Sequence, residues 1–159
     1  MNSKTQSTEN ISSLLISMGY LVVPIAQNIA GQLIINVKIN GVEGLYILDS
    51  GAGQTVVDTK QCENLKLKLN TDDATYSGGG LGVHGIETIP SYNNKIEING
   101  FKIDTLPIAV MPLASAWESL AVIGAQEDLY GIMGVDLLRA GKAILDFNTM
   151  TLYLKQANS

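Results

Sequence analysis

Cysteine and histidine are almost absent from this chain. Its 159 residues include one cysteine, Cys62, and one histidine, His84. A single cysteine excludes an internal disulfide framework and a metal site built on several cysteines, while it leaves the redox compartment open. A catalytic triad could use only His84, and the sequence places no nucleophile beside it. We therefore expect no metal site and no cofactor.

Basic clusters and long apolar runs are also lacking. Ten basic residues stand against 15 acidic ones, the formal net charge is −5, and no basic patch favours a nucleic-acid partner. Residues 10–37 carry no charge, but polar residues interrupt them before the ~20 apolar residues of a membrane helix are reached. We expect no membrane span and a cytoplasmic protein. Export stays an alternative, with Leu14 to Ala26 as the apolar part of a signal peptide.

One unbroken apolar run ends in an acid. Residues 45–48 have the composition of a strand buried on both faces, and Asp49-Ser50-Gly51-Ala52 follows directly. We expect the carboxylate of Asp49 to lie inside the protein, where it needs donors. The Ser50 hydroxyl and the Gly51 N–H could supply them, because glycine permits a sharp turn. The pattern indicates a site that holds a reactive acid.

A second motif, Tyr130-Gly131-Ile132-Met133-Gly134-Val135-Asp136, lies near the C-terminal end. Together with Asp49–Ala52 and the following Thr55-Val56-Val57, it resembles the two signatures of the retropepsin-like (clan AA) aspartic proteases of the single-lobe bacterial or cellular type. The commoner family form has Thr at the place of Ser50. The resemblance covers roughly residues 31–154. It implies an all-β fold, a closed acid-protease barrel with one or two short helices.

The resemblance also implies the roles of the site residues. Asp49 would be catalytic, and amide hydrolysis by this route uses two carboxylates that share a proton. The chain has one Asp-Ser-Gly, so the second carboxylate would come from a homodimer acting on a peptide or protein. The supporting residues would be Ser50, Gly51, Ala52 and Thr55, and the second signature would be Ile132, Met133 and Gly134. Other acids considered for the second carboxylate are Asp58, Asp136 and Asp146, each with an alternative as strand end, helix cap or turn.

A glycine-rich segment separates the two motifs. Tyr76-Ser77-Gly78-Gly79-Gly80 opens a stretch that suits a moving hairpin tip, because freezing so many glycines costs entropy. By position it resembles the flap that covers the peptide in this family; a surface loop without a role is the alternative. Tyr76 either shapes the substrate pocket or is a half-buried strand residue. We expect His84 to be a solvated loop residue.

The remaining chain contains a degenerate repeat. Val37–Gly41 and Ile96–Gly100 each alternate as a strand and end in an Asn-Gly turn. We also expect a helix that begins at Thr8 or Asn10 and ends near Met18, then a strand from Tyr20 to Ile25. Further helices are expected over residues 114–121, around Trp117, and over 136–140, with Gly141 as the stop. The expected units are an N-terminal extension (1–30), the protease domain (31–155) and a tail (156–159).

The sequence also departs from the retroviral enzymes. An Arg after the second glycine and an Asp after the active-site Ala form an ion pair there, whereas Val135 and Gly53 hold these positions here. We therefore expect the final hairpin, Ala143 to Leu154, to form the dimer interface. A peptide-binding or dimerisation module without turnover is the alternative function, and a small-molecule-binding barrel is a third. Trp117 either packs on the barrel, as we expect, or lines a pocket.

Overall fold

The computed structural model describes residues 3–77, 85–125 and 127–158, with side chains omitted for residues 3–9 and 77. Three α-helices lie in this part of the chain: α1 (Ser3–Ser17), α2 (Ala114–Val122) and α3 (Val135–Ala140). Two short 3-10 turns span Thr59–Gln61 and Thr71–Asp73. The strands are β1 (Tyr20–Pro24), β2 (Ala26–Gln27), β3 (Leu33–Ile39), β4 (Val42–Leu48), β5 (Val56–Asp58), β6 (Thr75–Ser77), β7 (Ile86–Ser91), β8 (Ile96–Ile98), β9 (Phe101–Ile103), β10 (Ile108–Met111), β11 (Leu129–Met133), β12 (Ile144–Asp146) and β13 (Thr151–Lys155).

The strands form two sheets. The larger sheet has the order β6-β7-β10-β5-β11-β4-β3-β8-β9, with β2 added to β3, and the smaller has the order β1-β13-β12. The mostly-β fold agrees with the prediction. Neither sheet closes on itself among the described residues, so closure of the barrel stays a prediction.

The two Asn-Gly turns have the expected geometry. Asn40 and Gly41 have φ values of 49° and 85°, and Asn99 and Gly100 have 43° and 93°. Two consecutive positive φ angles produce the tight turn that matches the twist of a hairpin. The hairpins β3–β4 and β8–β9 therefore repeat one design, and they meet through the pairing of Ile39 with Ile96.

Alternation along the central strands separates two apolar clusters. In β4, Tyr46 and Leu48 belong to the main core, whereas Ile47 belongs to a second cluster on the other face. Leu45 packs against this second cluster as well. A strand that is apolar on both faces thus has a buried environment on each side, as its unbroken apolar sequence predicted.

The two ends of the described chain are packed together. β1 pairs along its whole length with β13, and Val23 is part of the main core. α1 begins at Ser3, earlier than the predicted Thr8 or Asn10, because the preceding residues include good helix formers and no helix breaker. No helix in the described ranges is long and apolar enough to cross a membrane.

Gly141 ends α3 for a different reason than the sequence indicated. The positive φ after this helix belongs to Lys142, at 47°, whereas Gly141 has a φ of −88°. A Cβ on Gly141 would lie 2.7 Å from Cδ2 of Leu154. A side chain at position 141 would force the Leu154 side chain to shift, so the glycine permits the close packing of the final strand and does not serve a left-handed backbone.

Candidate active site

The acid of the first motif lies at the end of β4. The last three side chains of the strand are buried, but Asp49 and Ser50 are exposed in the single chain. The prediction that the Asp49 carboxylate lies inside is therefore wrong. Its backbone N–H still continues the sheet by donating to the Met133 carbonyl at 3.0 Å. The side chain projects beyond the covered part of the sheet and meets solvent.

The turn after Asp49 holds one oxygen of its carboxylate. The Gly51 N–H donates to Oδ1 of Asp49 at 2.8 Å, the contact expected from the sequence, and the Ala52 N–H donates to the Asp49 carbonyl at 3.1 Å. The Ser50 hydroxyl makes no hydrogen bond with any described residue, so its supporting role stays a prediction. Oδ2 of Asp49 likewise has no hydrogen-bond partner within the described ranges, and one carboxylate oxygen is left to act on another group.

Thr55 supports the loop after Asp49 through a bond to Asp136, and it makes no direct hydrogen bond with Asp49. It is fully buried, and its N–H and hydroxyl donate to the two carboxylate oxygens of Asp136, each at 2.9 Å. Oδ1 of Asp136 also accepts from the N–H of Leu137 in the first turn of α3. The carboxylate of Asp136 is thus bonded within the chain, but Asp136 lies inside the first turn of α3 and the N-cap is Gly134, so the helix-cap alternative for Asp136 is wrong.

The second motif lies beside the first. β11 runs parallel to β4, with Ile132 opposite Ile47 and Met133 opposite Leu48. Gly134 follows where a Cβ would lie 2.6 Å from the Gln54 carbonyl, and its N–H donates to the Thr55 hydroxyl at 3.2 Å. This close approach explains the glycine, and it brings the two motifs into one structural unit.

The other candidate acids have structural partners. Asp58 is buried and accepts from the N–H groups of Lys60 and Leu113 and from Nε1 of Trp117, the last at 2.8 Å. Asp146 lies in the β12–β13 turn, where the Thr149 hydroxyl donates to it at 2.7 Å. This bond, more than any other contact, lowers the pKa of the Asp146 carboxyl, while partial burial acts in the opposite direction. Neither residue lies next to Asp49 in the sheet.

The bond between Asp58 and Trp117 was missed by sequence reasoning. The two residues are 59 positions apart, and no motif links them. The prediction that Trp117 packs on the sheet is consistent with its place against the second cluster, but its indole N–H also has a specific partner.

The predicted flap is only partly described. β6 and β7 pair antiparallel, with Tyr76 opposite Glu87 and Ser77 opposite Ile86. These arms lead to Gly78, Gly79 and Gly80, which, like His84, lie outside the described residues. The Tyr76 side chain is 70% exposed. The half-buried alternative for this residue is therefore wrong, because β6 lies at the edge of the sheet.

A groove of about 430 Å³ begins at Ser50, next to the candidate acid. It lies between α3 and the start of the final hairpin. Its lining is mainly apolar and includes Leu138, Ala143 and Leu145, with Arg139 and Lys142 adding positive charge. An apolar groove beside an exposed carboxylate provides a surface that another polypeptide could cover.

Comparison with protein families shows the family to which the chain belongs. A family model described as aspartyl protease matches residues 35–137, more than half of the chain. The chain belongs to the aspartyl protease family. The match runs from β3 to α3 and contains both motifs, whereas β1, β12 and β13 lie outside it. A search of curated proteins found no match.

Solved structures agree with the family at the level of the fold. A retropepsin-like aspartic protease from Rickettsia conorii is similar with a TM-score of 0.55 and 19% identity, covering 89% of this chain and 94% of that one. The retroviral protease-like domain of Ddi1 from Leishmania major is similar with a TM-score of 0.54 and 17% identity, covering 80% and 90%. This aspartyl protease family member therefore has a retropepsin-like fold.

Proposed function

We propose that the chain is an aspartic endopeptidase that acts as a homodimer, with Asp49 of two copies forming the catalytic pair. The observation that carries this proposal is the state of Asp49 in one protomer: its carboxylate is exposed at the end of a buried strand, and Gly51 holds only one of its oxygens. The other acids discussed above are bonded internally. A twofold axis beside Asp49 would supply the second carboxylate from the same residue of the other copy.

The chemistry follows from two carboxyl groups in close contact. They cannot both ionise cheaply, so the pair holds one shared proton. The ionised carboxylate takes a proton from a water as that water attacks the scissile carbonyl, and the protonated partner donates its proton to the carbonyl oxygen. The N–H of Gly51 on each side keeps the two carboxyls oriented. The segment beyond β6 would cover the peptide as a flap.

Two surface features support association at this face. β12 is an edge strand of the small sheet, so one side of its backbone is open for pairing. Ile144 and Phe147 are 38% and 67% exposed there, close in sequence to the groove residues Ala143 and Leu145. We propose that this edge and the groove form the dimer interface.

The proposed interface is best tested with a point variant, because a truncation would also disturb the fold. Leu152 and Leu154 of β13 are fully buried in the protomer's own core, so removal of the hairpin would unfold the chain. Ile144→Lys places a charge on the open edge and should give folded monomers, as measured by sedimentation together with circular dichroism. Tyr92→Lys is a matched control, because this exposed side chain lies by the Asn40 turn, at the opposite end of the β3–β4 hairpin from Asp49. A dimer that survives Ile144→Lys would contradict this interface.

The function is tested by cleavage of a mixed peptide library at a series of pH values from about 4 to 7, because a carboxyl pair holds one proton only between its two macroscopic pKa values. Asp49→Asn should abolish cleavage and leave the fold and the dimer intact, because the Asn Oδ1 still accepts from Gly51. Cleavage that persists in Asp49→Asn would disprove the assignment. A stable wild-type dimer that binds peptides without cleaving them would instead indicate the binding module.

A further inference from the structure

We propose that Trp117, positioned by Asp58, limits the size of the substrate side chain next to the scissile bond; this inference rests on the proposed function. It starts from the two faces of β4. Asp49 follows Ile47 by two positions, and its N–H continues the pairing with β11. Because side chains alternate along a strand, Asp49 projects on the face of Ile47 and Leu45, which is the face of the second cluster.

This face is covered by α2. Ile34, Ile47 and Leu129 are only 5%, 6% and 6% exposed, and Trp117 and Leu120 of α2 pack against them. Ile132, the neighbour of Ile47 in the paired strand, is partly exposed. The indole N–H is held at Asp58, which follows Val57, the partner of Gly131. A peptide side chain that extends from Asp49 over this face would therefore meet Ile132 first and then the indole, with the deeper apolar surface already filled.

The indole is fixed rather than merely packed. Its Nε1–H donates to Oδ2 of Asp58 at 2.8 Å, and Asp58 is 3% exposed. The other oxygen of the same carboxylate accepts from the N–H of Leu113, the residue before α2. One buried acid thus fixes both the start of α2 and the Trp117 ring. A fixed wall discriminates by size, because the ring cannot move aside without leaving the buried carboxylate short of a donor.

Size discrimination predicts a preference for small side chains next to the scissile bond. The test compares two peptides that carry either Phe or Ala next to the scissile bond, and the measured quantity is the ratio of their kcat/KM values, Phe over Ala. In Trp117→Ala this ratio should rise at least about tenfold, which is the effect of one or more methylenes in an apolar pocket. Trp117→Phe removes the bond to Asp58 but most of the volume remains, so the ratio should rise less. Val122→Ala, on the same helix with Val122 86% exposed, should leave it unchanged. A general loss of structure would lower both rates and not their ratio.

A binding measurement decides the inference without turnover. Trp117 is the chain's one tryptophan, so its emission reports on this position alone. In the Asp49→Asn protein, saturation with a labelled, tryptophan-free peptide, followed by anisotropy, should shift the Trp117 emission. Two results would overturn the inference and leave the proposed function standing. One is an unchanged Trp117 emission when the peptide is saturating. The other is cleavage by wild type together with an unchanged Phe-to-Ala ratio in Trp117→Ala. An emission shift without wild-type cleavage would refute the protease and the inference with it, and would place Trp117 at a peptide-binding site without turnover. Peptides that neither bind nor are cleaved would overturn both.

Discussion

Thr55 donates twice to Asp136, through its N–H and its hydroxyl, both at 2.9 Å. The hydroxyl also accepts from the N–H of Gly134, so one side chain joins the loop after Asp49, the end of β11 and the start of α3. All three segments are placed by this buried contact. The candidate acid is exposed, but the contacts that hold its loop are buried within the chain.

Loss of the Thr55 hydroxyl should therefore reduce stability. Thr55→Val keeps the shape but leaves the Gly134 N–H without its acceptor and removes one of the two donors to Oδ1 of Asp136, which should lower the free energy of unfolding by about 1–3 kcal/mol. Thr55→Ser keeps the hydroxyl and is the matched control. Urea unfolding of the three proteins measures the difference. Equal midpoints for Thr55→Val and wild type would show that the contact does not hold the loop.

Gly131 should tolerate no side chain. A Cβ there would lie 2.1 Å from the Val56 carbonyl and 2.9 Å from Cα of Val57, because β11 passes directly beside β5. Backbone cannot yield as a flexible side chain does, so Gly131→Ala should cost about 3 kcal/mol or more. Gly53→Ala is the control, since no described atom outside its two chain neighbours lies within 4 Å of the position that its Cβ would take. A thermal melt of Gly131→Ala that matches the melt of Gly53→Ala would refute this packing.

Tyr46 should destabilise the fold at alkaline pH. Its hydroxyl is fully buried without a partner among the described residues, and burial, more than the neighbouring Tyr130, raises the pKa of Tyr46 well above its ordinary value. As pH rises through about 10, the unfolded chain ionises this group while the folded chain does not, so stability is lost. Tyr46→Phe should flatten this alkaline loss and gain up to about 1–2 kcal/mol near neutrality. Unfolding at a series of pH values measures both; a destabilised Phe variant would point to an unseen partner of the hydroxyl.

Asp146 should make the fold less stable at acid pH, whereas Tyr46 does so at alkaline pH. The hydrogen bond from Thr149 lowers the pKa of its carboxyl in the folded chain. Its contribution is therefore complete above the unfolded value of about 3.9 and is lost as pH falls through the folded value. Asp146→Asn should lose less stability than wild type between about pH 5 and pH 2. NMR titration of the Asp146 carboxyl should give a higher pKa in the Thr149→Val protein than in wild type, since both proteins keep Asp146. Parallel acid curves for Asp146→Asn and wild type would exclude this group.

The sequence predicted the local elements well because their signals are local. The two Asn-Gly turns, the strand that leads to Asp49, and α2 lie close to their expected positions, since turn geometry and alternation act over a few residues. Both motifs were recognised from their residues, but the register in which β4 and β11 pair was not predicted.

Long-range contacts were not predictable in the same way. Thr55 was assigned to the site, but its partner Asp136 lies 81 positions away, and nothing in either motif specifies their bond. The exposure of Asp49 was missed for a related reason. A buried strand indicates burial of its own residues, but whether the next carboxylate meets solvent, or a second copy, depends on the assembly and not on the strand.

The central place of β13 in the small sheet also has a consequence for biosynthesis. Val23 of β1 pairs opposite Leu152 of β13, so the first strand finds its neighbour only when the last one has been made. Roughly 130 residues must be added in between, which takes about 6 to 26 s at the ribosome's ~5–20 residues per second. During that interval the nascent chain carries an apolar strand with an open edge. Chaperones should therefore be able to bind the open edge of β1 until β13 is made.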